Sequence, residues 1–146
     1  MRALLDVNVL IALLDAAHLH HTLAVRWLES ELKHGWASCP ITQNGCLRIM
    51  SQPAYPGAQA LPAVASRLAE AMAHDSHAFW PDSLSLLDPQ HIQRDRLIGH
   101  RQITDAYLLA LAVENKGRFV SFDARITPTL IPSARPEQLV VLGAAG

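Results

Sequence analysis

The sequence has 146 residues, of which 50% are hydrophobic and 17% are charged, so general disorder is excluded. A chain of this length is expected to form one domain, residues 1–146, with a core that needs no disulfide or structural metal. The 12 basic and 13 acidic side chains give a net charge of −1, which excludes a protein that coats nucleic acid through a strongly basic surface.

The first half of the chain alternates short apolar runs with helical spacing. Apolar residues recur every three to five positions between Leu23 and Leu32, which predicts an amphipathic helix that Gly35 ends. A second helical pattern contains Gly45, a residue of low helix propensity. The predicted elements are strands over residues 3–5 and 36–38 and helices over residues 9–14, 20–34 and 41–50.

The second half begins with a loop over residues 51–57, a segment that holds two prolines and a glycine. The strongest helical pattern covers residues 104–116, with Thr104 as the N-cap and Gly117 just past the end. The other predicted elements are an amphipathic helix between residues 61 and 72, strands over 77–80, 118–122 and 138–142, and a short helix within 88–98.

Short apolar strands that alternate with helices are typical of one class of fold. They predict an α/β domain in which a mostly parallel sheet carries helices on both faces. Neither a repeat nor a linker interrupts this order, so a single domain accounts for the whole sequence.

The apolar N-terminus raises the question of a signal peptide. Asp6 and Asn8 interrupt the apolar run, so we do not expect one. The longest apolar run, residues 106–113, is far shorter than the ~20 residues that a membrane helix needs. We therefore expect a cytoplasmic protein without membrane association, in which Cys39 and Cys46 are buried, reduced thiols.

Three acidic residues occupy unusual places. Asp6 ends the first predicted strand, Asp123 directly follows the strand over 118–122, and Asp105 opens the most apolar helix. Ligands of open parallel sheets bind beyond the carboxyl ends of the strands, where helix N-termini also point. We therefore expect these three carboxylates to meet at one edge of the sheet.

Each acid also has a purely structural interpretation. Asp105 can be stabilised by the helix dipole, Asp6 can start a turn with Asn8, and Asp123 can cap the following segment. Three neighbouring carboxylates, however, repel one another by roughly 4 kcal/mol per pair at about 4 Å and an effective dielectric of about 20. A bound cation relieves this repulsion, and hard oxygen ligands favour Mg²⁺, with Mn²⁺ as a substitute.

Several basic residues give weaker signals. His18, His20 and His21 are interpreted as a solvated helix start, because no acid lies at ligand spacing from them. His100 and Arg101 precede the helix that carries Asp105, and contact with RNA phosphates and a solvated loop remain equal alternatives for them. Ordinary surface charge is the first interpretation of three further residues, and the lining of a path for RNA is the alternative: Arg94, Arg96 and Arg125.

Four segments stand out along the chain: LLDVNVLIALL at the start, ITQNGCLRIMS in the middle, HRQITDAYLLALA late and FVSFD near the end. In this order and spacing they resemble a PIN domain, and more narrowly a VapC-type ribonuclease toxin of bacterial toxin–antitoxin pairs. The resemblance implies a three-layer α/β/α sandwich with a small parallel sheet. It also implies a Mg²⁺-dependent endoribonuclease that forms a homodimer and is inhibited by a cognate antitoxin protein.

The resemblance also assigns roles to individual residues. The metal-binding and catalytic acids of the family match Asp6, Asp105 and Asp123. The supporting polar residues, which would hold water, orient the carboxylates or reach a phosphate, match Asn8, Arg48, Thr104 and Ser121.

The middle helix departs from the family pattern. Many members carry a glutamate there, whereas the segment TQNGCLR contains no acid. Asn44 is the first choice for the position that faces the site, and Gln43 is the second. An amide can hydrogen-bond a metal-bound water but adds no negative charge, so we expect one well-bound ion rather than two.

Three functional hypotheses follow from these residues. The first is a Mg²⁺-dependent endoribonuclease toxin that hydrolyses RNA through metal-activated water. The alternative is a non-catalytic PIN-like module that binds RNA or a protein. A phosphotransferase with Asp6 as nucleophile is a poor third, because DVNV lacks the second aspartate that would protonate the leaving group.

Overall fold

Five strands form one parallel sheet in the computed structural model, which describes residues 1–143. The strands are β1 (Ala3–Leu5), β2 (Trp36–Ser38), β3 (His77–Phe79), β4 (Arg118–Ser121) and β5 (Leu139–Val141). Their spatial order is β3-β2-β1-β4-β5, and every neighbouring pair is parallel. All five predicted strands are present, and the last three are one or two residues shorter than predicted.

Five α-helices accompany the strands within residues 1–143. They are α1 (Val7–Leu14), α2 (His21–Glu31), α3 (Pro40–Met50), α4 (Leu61–Met72) and α5 (Ile103–Glu114). The helix predicted over residues 20–34 ends as a 3₁₀ turn, Leu32–His34, before Gly35 with φ 78° turns the chain into β2. Within residues 1–143, no helix combines the length and the apolar character that a bilayer crossing demands.

The long connection between β3 and α5 differs from the prediction. Residues 88–98 form no α-helix and hold only a 3₁₀ turn, Arg94–Arg96. Ile92 is the one residue of this segment that is fully buried, so the segment has no apolar stripe to anchor a helix. The predicted N-cap is also wrong, because α5 begins at Ile103 and Thr104 lies exposed inside its first turn.

Two apolar layers sandwich the sheet. Leu4 and Phe119 pack with α5 on one face, whereas Leu5 and Val120 pack with the helices of the first half on the other. Seven consecutive residues of α5, from Ala106 to Ala112, are buried, which explains why its sequence is apolar all round. This arrangement confirms the predicted α/β/α sandwich with a parallel sheet.

The order of the strands reverses at the centre of the sheet. From β1 the chain moves outward to β2 and β3, crosses over through α5 to β4 on the other side of β1, and continues to β5. The carboxyl ends of β1 and β4 therefore flank a topological switch point, the place where open α/β sheets bind their ligands.

Gly45 marks the close approach of α3 to α1. A Cβ atom at this position would lie 2.7 Å from Cγ2 of Val7, far inside van der Waals contact. Val7 directly follows Asp6, so the glycine lets α3 pack against the start of the helix that Asp6 caps. The glycine that weakens the helical pattern in the sequence is therefore required by packing.

We expect Gly45→Ala to lower the free energy of unfolding by about 1 kcal/mol. Overpacking destabilises the folded state by about 1–3 kcal/mol, and the higher helix propensity of alanine offsets about 1 kcal/mol of this loss. In a Val7→Ala background the same substitution should stabilise the protein, because the overlapping methyl group is gone. Urea unfolding of the four proteins measures the coupling. An equal loss in both backgrounds would contradict the packing argument.

Candidate active site

Asp6 is fixed at the carboxyl end of β1. Its Oδ1 accepts a hydrogen bond from the backbone N–H of Val7 at 2.8 Å, and so caps α1. Its Oδ2 accepts a hydrogen bond from Oγ of Ser121 at 2.6 Å. Burial raises the pKa of this carboxyl group above its ordinary value, the two hydrogen bonds oppose that shift, and the charge of Asp123 adds to it. Asp6 is only 7% exposed, so it has one available orientation.

Ser121 orients Asp6 because all the hydrogen-bonding capacity of its hydroxyl group is used. Oγ accepts from the backbone N–H of Asp123 at 3.0 Å and from Nδ2 of Asn8 at 3.3 Å, which occupies both of its lone pairs. Its single proton is therefore left for the carboxylate of Asp6. The structure thus brings the predicted supporting residues Asn8 and Ser121 to the edge where Asp6 and Asp123 lie.

Asp105 lies in the first turn of α5, facing the same edge of the sheet. Burial raises the pKa of its carboxyl group to about 6, with further contributions from the negative charges of Asp6 and Asp123. The guanidinium group of Arg125 acts in the opposite direction. The carboxylates that are 99 residues apart in the sequence therefore interact electrostatically, as the sequence predicts.

Asp123 is paired with Arg125. The guanidinium group forms a fork on the carboxylate, with Nε 3.0 Å from Oδ1 and Nη2 2.9 Å from Oδ2. The backbone N–H of Arg125 also donates to Oδ1, at 2.9 Å. These hydrogen bonds hold the pKa of Asp123 below its ordinary value. Sequence reasoning missed this pair, although an aspartate that bonds the backbone two residues ahead is a recognisable turn pattern.

A cavity of about 210 Å³ lies beside these acids. Asp105 and Asp123 line it together with Arg101, Arg125 and an apolar floor that includes Leu109. The cavity therefore presents two carboxylates and two guanidinium groups to whatever enters it. Asp6, which is buried, does not line this cavity.

The charges of Asp6 and Asp123 raise the pKa of Asp105, and the charge of Asp123 raises that of Asp6, but the three acids do not converge on one point. Within residues 1–143, no group of three or more His, Cys, Asp or Glu side chains is arranged to hold a metal ion. Asp6 is turned towards Ser121, and Asp123 is turned towards Arg125. The positive charge beside Asp123 in this conformation is therefore supplied by the protein itself.

The two candidate residues of the middle helix α3, Gln43 and Asn44, lie in different surroundings. Gln43 donates from Nε2 to Oγ of Ser38 at 2.9 Å, at the carboxyl end of β2. Asn44 is exposed, and in the described part of the chain its side chain makes no hydrogen bond to the three acids. The structure does not bring Asn44 to the carboxylates, and its assignment stays a prediction.

Two other predicted supporting residues also lie apart from the acids. Arg48 is exposed in the last turn of α3, and Thr104 is exposed in the first turn of α5. Among residues 1–143, neither side chain hydrogen-bonds Asp6, Asp105 or Asp123. Arg101, by contrast, lines the same cavity as Asp105 and Asp123.

The raised pKa of Asp105 makes the stability of the metal-free protein depend on pH. The folded state holds the proton more tightly than the unfolded chain, whose carboxyl group has a pKa near 3.8. The resulting stability is complete below the unfolded pKa and is lost as the pH rises through about 6.

We therefore expect Asp105→Asn to match the wild type near pH 4 and to exceed it near pH 7 by about 1 kcal/mol, since water screens part of the effect at a half-buried group. Thermal unfolding in EDTA measures the difference. Asp75→Asn, an exposed substitution before β3 at the opposite edge of the sheet, is the matched control. A difference that does not change with pH would contradict the assignment.

The sequence matches the PIN domain family over residues 3–128. Ribonuclease VapC44 of Mycobacterium tuberculosis (strain ATCC 25618 / H37Rv) is 49% identical over 142 residues, which cover 97% of this chain and 100% of that protein. Ribonuclease VapC39 of the same strain is 43% identical over 127 residues, which cover 86% of this chain and 91% of that protein.

A solved structure also shares the fold. It is the crystal structure of VapBC2 from Rickettsia felis bound to a DNA fragment from their promoter, with a TM-score of 0.59 and 16% sequence identity. The alignment covers 90% of this chain and 96% of that chain. The resemblance seen in the four sequence segments is therefore confirmed over almost the whole length. The chain belongs to the PIN domain family, and its relatives within that family are VapC ribonucleases.

Proposed function

We propose that this protein is a Mg²⁺-dependent endoribonuclease and acts as the toxin of a toxin–antitoxin pair. The observation that carries the proposal is the position of Asp6, Asp105 and Asp123 at one switch point of the sheet, where a cavity lined by Asp105 and Asp123 also presents Arg101 and Arg125. The ribonuclease names of relatives that match nearly the whole chain support the same reaction class.

By donor type, the three acids fit a hard divalent cation, because carboxylate oxygens are the ligands that Mg²⁺ and Mn²⁺ prefer. In the conformation described they do not converge on one point, so an ion would have to draw them together. The pKa of Asp105 is raised by burial first and then by the charges of Asp6 and Asp123, and a cation would relieve both effects. Asp6, Asp105 and Asp123 would hold the ion. When bound, it supplies positive charge that admits a phosphodiester and promotes the attack of water.

The protein's own residues carry the remaining tasks. Ser121 and Val7 keep the carboxylate of Asp6 in one orientation, so that no binding energy is spent on ordering it. Arg101 and Arg125 place guanidinium groups on the cavity, and a guanidinium group can hold a phosphate through two parallel hydrogen bonds. Arg125 would have to release Asp123 before its fork can hold a phosphate in this way. We assign these two arginines to the RNA backbone.

The partners follow from the same chemistry. RNA is the substrate, and a cognate antitoxin that carries Arg or Lys would compete with the metal ion for the three carboxylates and with RNA for the space beside them. We propose that the chain folds as one domain, forms a homodimer and works in the cytoplasm. The two free, buried cysteines, Cys39 and Cys46, suit a reducing compartment.

A non-catalytic PIN-like module is the second candidate. The observation that favours it is the absence of any acid from α3 in the segment PITQNGCLRIM, which leaves the site with three carboxylates. Cleavage assays separate the two functions, because a binding module would retain RNA without hydrolysing it.

We expect the wild type to cleave structured RNA in Mg²⁺ or Mn²⁺ and to stop in EDTA. Asp105→Asn should lower the rate by about two orders of magnitude or more, because it removes a charged ligand from a site with only three. Asp75→Asn removes a carboxylate from the opposite edge of the sheet and should leave the rate unchanged. Gel analysis of labelled RNA gives the rates, and undiminished cleavage by Asp105→Asn or in EDTA would refute the proposal.

Ser121→Ala tests the orientation of Asp6. It removes the hydrogen bond that lowers the pKa of Asp6, so this pKa should rise further, and cleavage should slow by about 10- to 100-fold, as is typical for a residue that orients a metal ligand. Carbon-13 NMR of the Asp6 carboxyl group reports the pKa. Ser38→Ala, at the equally buried end of β2, should change neither value. A Ser121→Ala protein with an unchanged pKa of Asp6 would show that Ser121 has no such role.

A further inference from the structure

A row of three rings lies at the carboxyl edge of the sheet, beside the acids. The imidazole ring of His20 stacks on Phe122, with 4.9 Å between the centroids and 29° between the planes. His18 follows at 5.8 Å from His20 in a tilted arrangement. We propose that His20 and Phe122, with the cavity that they line, hold one unpaired base of the RNA next to the phosphate that is cleaved. This inference rests on the proposed function.

The position of Phe122 ties this ring to the catalytic edge. Phe122 lies between Ser121, which orients Asp6, and Asp123. Its backbone N–H donates to Oδ1 of Asn8 at 3.4 Å, and the amide of Asn8 donates to Ser121. The ring is thus attached to the same hydrogen-bond network that places the carboxylates.

Alternate residues of the segment 122–125 line two different cavities. Asp123 and Arg125 line the cavity that holds the acids, whereas Phe122 and Ala124 line a second cavity of about 270 Å³. The two cavities therefore flank the same short segment of the chain, residues 122–125. A nucleotide whose phosphate lies at Asp123 can therefore place its base in the second cavity.

The chemistry of the second cavity suits a base and not a phosphate. It is lined by two rings and aliphatic groups, with no carboxylate among the residues His20, Leu23, Phe122, Ala124, Val141, Leu142 and Gly143. Its volume lies below the ~300–1,000 Å³ of sites that bind drug-sized ligands, which favours a single flat group. Proteins bind unpaired RNA bases by stacking them on aromatic side chains, histidine included.

His20 is free for this role, whereas its neighbours have structural ones. Nδ1 of His21 lies 2.7 Å from the carbonyl oxygen of Ala12, and Nδ1 of His18 accepts from the backbone N–H of His20. The side chain of His20 makes no capping hydrogen bond at the start of α2 and is exposed. The stack on Phe122 and the tilted ring of His18 order its ring, and a base can extend this row.

Binding of fluorescein-labelled hexauridylate and hexa-adenylate, measured by fluorescence anisotropy, tests the inference. Ca²⁺ replaces Mg²⁺, and a gel checks that the hexamers stay intact. His20→Ala should weaken binding about tenfold, whereas His20→Phe, which keeps a ring, should stay within about twofold of the wild type. His34→Ala removes an exposed imidazole just after α2 and should change nothing.

The outcomes separate this inference from the proposed function. If the wild type cleaves long RNA in Mg²⁺ but His20→Ala binds the hexamers as tightly as the wild type, the base site is wrong and the ribonuclease assignment stands. Equal weakening by His20→Phe and His20→Ala, or cleavage without any binding of hexamers, also overturns the base site. A wild type that neither binds nor cleaves RNA refutes the proposed function itself.

Discussion

The parallel pairing of β1 with β4 decides where the acids lie. Leu5 pairs with Val120, so the next residue on each strand, Asp6 and Ser121, emerges at the same level of the sheet. The backbone N–H of Asp6 donates to the carbonyl oxygen of Val120 at 2.9 Å, which extends this register past the end of β1. A shift of one residue would reverse the faces of the strand and separate the carboxylate from its serine.

The site then has to accommodate like charges that this register brings together. The pKa values of Asp6 and Asp105 are raised, whereas that of Asp123 is lowered. Burial raises the pKa values of Asp6 and Asp105, whereas the hydrogen bonds of Arg125 lower that of Asp123. Arg125 also acts on Asp105, but there its charge does not offset burial and the two neighbouring carboxylates.

Much of this arrangement could be predicted from the sequence because it follows from local patterns. Apolar runs and helical spacing locate all five strands and the five helices, and acids at the ends of two strands and the start of a buried helix locate the site. The end of β4 is predicted less exactly. Phe122 is apolar and is therefore predicted to belong to the strand, whereas β4 ends at Ser121.

Other features depend on contacts between distant segments and leave no local signal. The sequence predicts a short helix within 88–98, yet Ile92 is the one residue of this segment that is fully buried. Nothing near Gly45 in the sequence indicates that Val7 will lie against it. The stack of His20 on Phe122 joins residues that are 102 positions apart in the sequence. Without the fold, the histidine cluster therefore indicates only a solvated helix start.

The packing of α3 also bears on its missing acid. The face of α3 that meets α1 is closed at Gly45, where even a methyl group would overlap Val7, the residue that follows Asp6. Towards the N-terminus, Gln43 is the next residue of α3 that turns a polar group inward, and it donates a hydrogen bond to Oγ of Ser38. This Oγ also lies 2.8 Å from Nε2 of His77. A carboxylate at either position would have to displace a packed valine or break this network. The approach of α3 to α1 and β2 is therefore consistent with a site that relies on the acids of β1, α5 and the end of β4.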